Sequence, residues 1–356
     1  MIGRPEHELL LACARVCSES ERRDLIHSCL GRKIDWEYLL ETAGRHMVTS
    51  LLYWHVNAIC RDAVPQAILQ RLHSHFLKSA KSNLFFTAEL LRIIDLFDKN
   101  GIKAIPFKGP VLGITLYEDP ALREFVDLDV LVQKGNVFRA LRLLPALGYR
   151  RIPEYSPAVE AGILKWGYNY HLGKENGQSF IELHWNVMPV YFGLPLSTDR
   201  WWERAESVTV QARAVCNLSA EDLLMALSAH GCRHMWGSLA WIGDLARLFN
   251  RHPEVNWDSV FKEYSHPDLQ RMIFLGAIVA HDLLGAALPS EIIQRARQDS
   301  VAAELARKVQ EGLFHQGGNA ERLRLKLLQL RLKSHWTGRI RFCYRALLTL
   351  GYRNRL

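Results

Sequence analysis

Residues 102–132, IKAIPFKGPVLGITLYEDPALREFVDLDVLV, decide how this chain folds. The run closes on Asp127-Leu128-Asp129 inside apolar sequence, and side chains alternate across a strand. Both aspartates then project from one face while Val126, Leu128 and Val130 take the other. Carboxylates whose Cβ atoms lie about 6–7 Å apart repel unless a cation sits between them, and a divalent metal is the usual answer. Upstream, IKAIPF (102–107) reads as a short buried strand, and Gly109-Pro110 opens a helix through about Tyr117 with proline in its first turn. Strand, corner, helix and acidic strand together predict a metal-dependent phosphoryl or nucleotidyl transferase.

Outward from this run the periodicity changes. From residue 7 to about 99, apolar residues recur at three- and four-residue spacing, and Asn100-Gly101 is a helix stop. A helix is expected across Asn136 to Leu147 and an extended segment at YRRIPEY (149–155). WGYNYHLGKENGQSFIELHWNV then forms a hairpin around Glu175-Asn176-Gly177. A loop follows, and helices resume at SAEDLLMALSAHGCRHMW, with Ser219 as cap and acidic residues in the first turn. No internal repeat or low-complexity segment interrupts the order.

Composition bounds the rest. A chain of 356 residues with 49% hydrophobic content supports a sizeable core. Its seven cysteines are scattered, odd in number and without a CxxC pair, which argues against a disulfide framework or a structural zinc site and for a cytoplasmic, reduced protein. The first residues lack the basic-then-apolar order of a secretory signal, and no membrane span is expected. A formal charge of +8 is weak evidence for a polyanionic ligand, but from Glu321 to Leu356 ten Lys/Arg face one acidic residue. That tail reads as a solvated helix face, with docking of an acidic partner as the alternative.

Nucleotidyl transfer asks little covalent help of a protein; metals, positioning and charge neutralisation carry it. Two ions about 4 Å apart call for two carboxylates on one strand and a third on a neighbour. Glu182 supplies the third if the strand Phe180 to Trp185 pairs beside the acidic one, and it would orient or deprotonate an acceptor hydroxyl. His184 shares its face. Phosphates need donors, which the corner provides through Lys108, the backbone at Gly109 and the following helix start. Arg123 is spaced to reach a triphosphate or an aspartate. His230 and His234 lie one helical turn apart without the glutamate of a zinc protease, so they read as a helix face closing over the site, with Asp244 as a supporting partner. Trp201, Trp202 and Trp236 read as packing.

At these residues the chain resembles a bacterial uncharacterised nucleotidyltransferase family of the polymerase-β-like superfamily. Lys108-Gly109, Tyr117, Arg123, Asp127-Leu128-Asp129, Leu147-Gly148-Tyr149 and Glu182-Leu183-His184-Trp185 match its pattern in order, and His230 to Asp244 is similar to its helical region. The likeness covers roughly residues 80–250. Two positions depart from the wider superfamily: Lys108-Gly109 stands where Gly-Ser is usual, and Glu182 where an aspartate is usual.

The resemblance implies an α/β (α+β) fold, a small mixed polymerase-β-like sheet between helical units, divided as 1–100, 101–215 and 216–356. It implies transfer of a nucleoside monophosphate from a nucleoside triphosphate to an acceptor hydroxyl, with release of pyrophosphate. Asp127, Asp129 and Glu182 would hold two Mg²⁺, with Mn²⁺ as substitute, and Lys108, Gly109, Arg123 and His184 would surround the nucleotide. A small molecule or peptide is favoured as acceptor over RNA, for want of an RNA-binding module. The competing readings are a catalytically weak scaffold and a kinase-like transfer of the γ-phosphoryl group.

Overall fold

Three segments of apolar sequence, 104–106, 128–132 and 180–184, carry almost no polar side chain toward water, and they meet in one sheet. The fold comes from a computed structural model that describes residues 3–153, 156–175, 177, 179–315, 327–333, 340 and 343. Its five-stranded sheet contains β1 (Ala104–Pro106), β2 (Leu128–Val132), β3 (Tyr149–Arg151), β4 (Asn169–Lys174) and β5 (Phe180–His184), in the order β1-β2-β5-β4-β3. Only β2 and β5 run parallel, so the sheet is mixed. A separate hairpin joins β6 (Glu206–Val210) to β7 (Arg213–Asn217).

Leu128, Val130 and Val132 face the second half of the 34-residue helix Gln66–Lys99, which buries Phe86, Leu90, Ile93, Ile94 and Phe97 in the same apolar cluster. At about 2 kcal/mol for each fully buried large side chain, that face holds the helix on the sheet. The helix stops at Asn100, and Gly101 takes a φ of +64°, a conformation other residues rarely adopt. Leu131 and Ile105 point the other way, into a second cluster shared by N-terminal helices, such as Pro5–Ala14 and Thr49–Ile59, and C-terminal ones, such as Ala220–Arg233, Leu239–Arg251 and Pro267–Leu284. The acidic face of β2 therefore looks toward the helical part of the molecule.

The expected α/β order is present, with differences at its edges. The acidic strand begins at Leu128, one residue after Asp127, so the alternation does not extend back to Val126, which is 67% exposed. The helix expected over 136–147 is α-helical only for Val137–Leu143 and tightens into a 3₁₀ turn over Leu144–Leu147. The helix Pro157–Trp166 and the β6–β7 hairpin had no counterpart in the reading of the sequence. Trp236 and Trp201 are core residues: a Cβ at Gly231 or Gly276 would meet the Trp236 ring at 2.4 and 2.8 Å, and Trp201 Nε1 donates to Tyr264 at 3.0 Å. Most of the basic tail lies outside the described residues. No described helix is long and apolar enough to cross a membrane.

Candidate functional site

The corner between β1 and the helix Pro110–Leu116 is shaped by Gly109, whose φ of +55° and ψ of −131° suit glycine alone. A Cβ there would stand 3.4 Å from the carbonyl oxygen of Asp127, so glycine also lets the corner approach the acidic strand. That approach brings Lys108 over β2. Its Nζ lies 2.7 Å from Asp129 Oδ1 and 3.5 Å from His230 Nδ1.

The parallel pairing of β2 with β5 sets Asp129 opposite Glu182 and Leu131 opposite His184. Asp129, Glu182 and His184 thus converge, their ligand-capable atoms within 4.8 Å of one another. His184 Nε2 lies 3.0 Å from Asp129 Oδ1 and 3.2 Å from Glu182 Oε2. Asn169 donates to Glu182 at 3.0 Å, and His171 stands 3.3 Å from its other oxygen. Asp127 lines the same cavity but falls outside that tight group, since it precedes the strand.

Charge is unevenly compensated here. Burial would lift Asp129, but the Lys108 charge and the His184 hydrogen bond hold it far below the usual carboxylate range. Burial would likewise lower His184, yet its bonds to Asp129 and Glu182 raise it to about 9, so it is an imidazolium at neutral pH. Burial would lift Glu182, but the hydrogen bond and charge of His184, with the charge of Lys108, together lower it. Asp127 goes the other way: burial, then the neighbouring Asp129 charge, raises it to about 6. A carboxylate pushed upward beside two others is a place a divalent cation would relieve, and an oxygen-rich set of Asp127, Asp129 and Glu182 fits a hard ion.

Lys108, Asp127, Asp129 and Glu182 form one end of a cavity of about 750 Å³. The opposite wall comes from the end of the helix Ala220–Arg233 and the start of Leu239–Arg251, bringing His230, Arg233, His234 and Trp241 to the cavity. The two histidines flank Trp241 with ring centroids 5.2 and 4.9 Å away. Burial, then the positive charge of Lys108, keeps His230 neutral; burial and Arg233 lower His234 to about 3. The structure therefore brings together the expected Lys108, Gly109, Asp127, Asp129, Glu182 and His184, with the histidine helix facing them.

Arg123 is placed differently from the expectation that it surrounds the nucleotide. It reaches the cavity edge, but its Nε and Nη2 donate to the two Asp244 oxygens at 2.9 and 2.8 Å, and Nη1 donates to the Gly109 carbonyl at 3.2 Å. Tyr117 donates to the same Asp244 at 2.8 Å. Tyr117, Arg123 and Asp244 form a buried node that fixes the glycine corner to the helical wall. The reading of the sequence missed Arg233, Asn169 and Tyr168. An arginine in the last turn of a helix reads as a favourable end charge, and Asn169 and Tyr168 read only as hairpin residues.

A family model described as uncharacterised nucleotidyltransferase matches residues 32–285. No curated protein and no solved structure matches the chain.

Proposed function

The chain belongs to the uncharacterised nucleotidyltransferase family, and from that premise we propose a metal-dependent enzyme that moves a nucleoside monophosphate from a nucleoside triphosphate to an acceptor hydroxyl. The observation that carries this reading is the parallel register setting Asp129 beside Glu182, with Asp127 at the mouth of the strand and Lys108 above it. Asp127, Asp129 and Glu182 would hold Mg²⁺, which supplies Lewis-acid polarisation of the phosphates when bound. Glu182, oriented by Asn169 and His184, positions the hydroxyl. The hydroxyl oxygen bonds to the α-phosphorus, the bond from that phosphorus to the bridging oxygen breaks, and pyrophosphate leaves with the electron pair. The hydroxyl proton passes to a carboxylate of this cluster. Lys108 neutralises charge at the acidic end, and Arg123 holds the corner and wall in register.

A small molecule or a peptide suits the acceptor position, because the site lies in a cavity of about 750 Å³ rather than on an open surface. The test is calorimetric titration of each of the four common nucleoside triphosphates with Mg²⁺ into wild type and an Asp127→Asn/Asp129→Asn variant, followed by an acceptor screen read by mass. Mg²⁺-dependent binding of a nucleotide that the variant loses, then a nucleoside monophosphate added to an acceptor with pyrophosphate released, is the expected result. A nucleoside diphosphate product would make the chain a kinase-like enzyme. No nucleotide binding in wild type would leave the scaffold reading.

A further inference from the structure

A triphosphate carries about four negative charges and here must enter a cavity already lined by four carboxylates, Glu124, Asp127, Asp129 and Glu182. Its binding depends on cations not neutralised by the protein itself. Lys108 sits 2.7 Å from Asp129, Arg123 is gripped by both oxygens of Asp244, and the His184 ring already bridges Asp129 and Glu182. His230 and His234 are held neutral. Arg233 differs from all of these: it lines the cavity, and no carboxylate lies within ion-pair distance of it among the described residues. Its Nε is buried without a hydrogen-bond partner, and its guanidinium carbon lies 4.8 Å from the centroid of the Tyr168 ring.

Contacts tie Arg233 to the chemistry. Arg233 Nη2 lies 3.4 Å from His230 Nδ1, the atom that Lys108 also approaches, and the Tyr168 ring centroid lies 5.7 Å from that of His184. Asp129, Lys108, His230, Arg233, Tyr168 and His184 therefore form a closed ring of neighbours, and all of them but His184 line the cavity. His230 Nδ1 thus gathers Lys108 and Arg233 at one point of the cavity wall. The cation–π contact with Tyr168 holds the guanidinium in place without using its N–H donors, and Nε keeps no hydrogen-bond partner.

We propose that Arg233 is the polyphosphate-binding cation of this protein, held by Tyr168 and His230 so that its donors meet the β- and γ-phosphates, a role that Arg123 cannot fill while Asp244 engages it. The assignment rests on the nucleotidyl-transfer reading. It explains how a corner with Lys108-Gly109 in place of Gly-Ser manages the triphosphate: the grip comes from the helical wall, across the cavity.

The experiment titrates inorganic tripolyphosphate, the bound nucleoside triphosphate and its parent nucleoside, all with Mg²⁺, into full-length wild type, Arg233→Ala and Arg233→Lys. Loss of one charge-assisted fork should weaken tripolyphosphate and triphosphate by about 10- to 100-fold in the alanine variant, with nucleoside affinity and melting temperature unchanged. Arg233→Lys keeps the charge but not the fork, so a smaller loss of several-fold is expected, and it stands in if the alanine variant fails to fold. Equal tripolyphosphate affinity in wild type and in the folded variants, with nucleotide bound normally, overturns the Arg233 assignment alone. Wild type that binds neither nucleotide nor tripolyphosphate overturns the transferase reading and this assignment with it.

Discussion

Replacing Asp127 by asparagine should abolish transfer and at the same time stabilise the metal-free protein. Asp127 is raised from 3.8 to about 6 by burial and then by the Asp129 charge, so its ionised form is disfavoured in the fold. About 2 pK units at about 1.4 kcal/mol each sets a ceiling of about 3 kcal/mol of destabilisation at neutral pH. The sign follows from linkage. Below 3.8 the group is protonated in both folded and unfolded chain and costs nothing; the deficit grows from there to about pH 6 and is constant above it. An amide of the same size carries no charge at any of these pH values. For 356 residues, at about 2.1 cal/mol/K of unfolding entropy per residue, 3 kcal/mol is about 4 °C in melting temperature. Thermal melts of wild type and Asp127→Asn in chelator from pH 4 to 8 should therefore coincide near pH 4 and diverge to as much as about 4 °C above pH 6. Excess Mg²⁺ should close the gap by raising wild type alone. A variant equal to or less stable than wild type at pH 7.5, or a gap that does not change with pH, would refute the argument that the fold carries the cost of a buried Asp127 charge beside Asp129 for a cation to relieve.

Two further substitutions test the frame around the site. Arg123→Ala leaves Asp244 buried without its partner and should cost about 3–5 kcal/mol in urea unfolding; unchanged stability with lost activity would instead return Arg123 to the phosphates. Gly109→Ala forces a side chain into φ +55° and toward the Asp127 carbonyl, so a loss on the order of 1–3 kcal/mol is expected from thermal melts, together with weakened metal binding. A variant as stable as wild type would show that the corner relaxes without strain.

Much of the site was legible because its signals are local. Asp127-Leu128-Asp129 and Glu182-Leu183-His184 each announce themselves by alternation within five residues, and only the pairing of the two strands had to be supplied by the fold. Gly109 was legible for the same reason, since a lysine-glycine-proline corner after an apolar run has few other uses. What could not be read is what sequence-distant charges do to each other. Arg123 and Asp244 are 121 residues apart, and nothing in the composition around either says that they neutralise one another. Arg233 was hidden by its neighbours: His230 and His234 carry the recognisable one-turn spacing, and an arginine beside them in the last helical turn has a sufficient local explanation. The helix Pro157–Trp166 was missed because ten residues between two extended segments offer little periodicity, although it closes one side of the cavity.

The distribution of cations explains how Asp244 bears on the cavity although it does not line it. Arg123 lies only four residues before Asp127, and a free guanidinium there would pair with one of the acidic side chains. That pairing would remove the part of the rise in Asp127 that comes from the Asp129 charge, and would compete with any divalent ion for the same oxygens. Asp244 prevents this by taking both of the arginine's forward donors in a geometry a carboxylate and a guanidinium fit closely, while Tyr117 donates to its remaining lone pair. The node also lies one helical turn from Trp241 and Ala240, which line the cavity, so the grip on Arg123 fixes the helical wall at the distance the corner requires. Among the described residues the opposite wall keeps one guanidinium without an ion-pair partner, Arg233, an arrangement in which a metal at the acidic end and a polyphosphate at the wall would each lower the cost of binding the other.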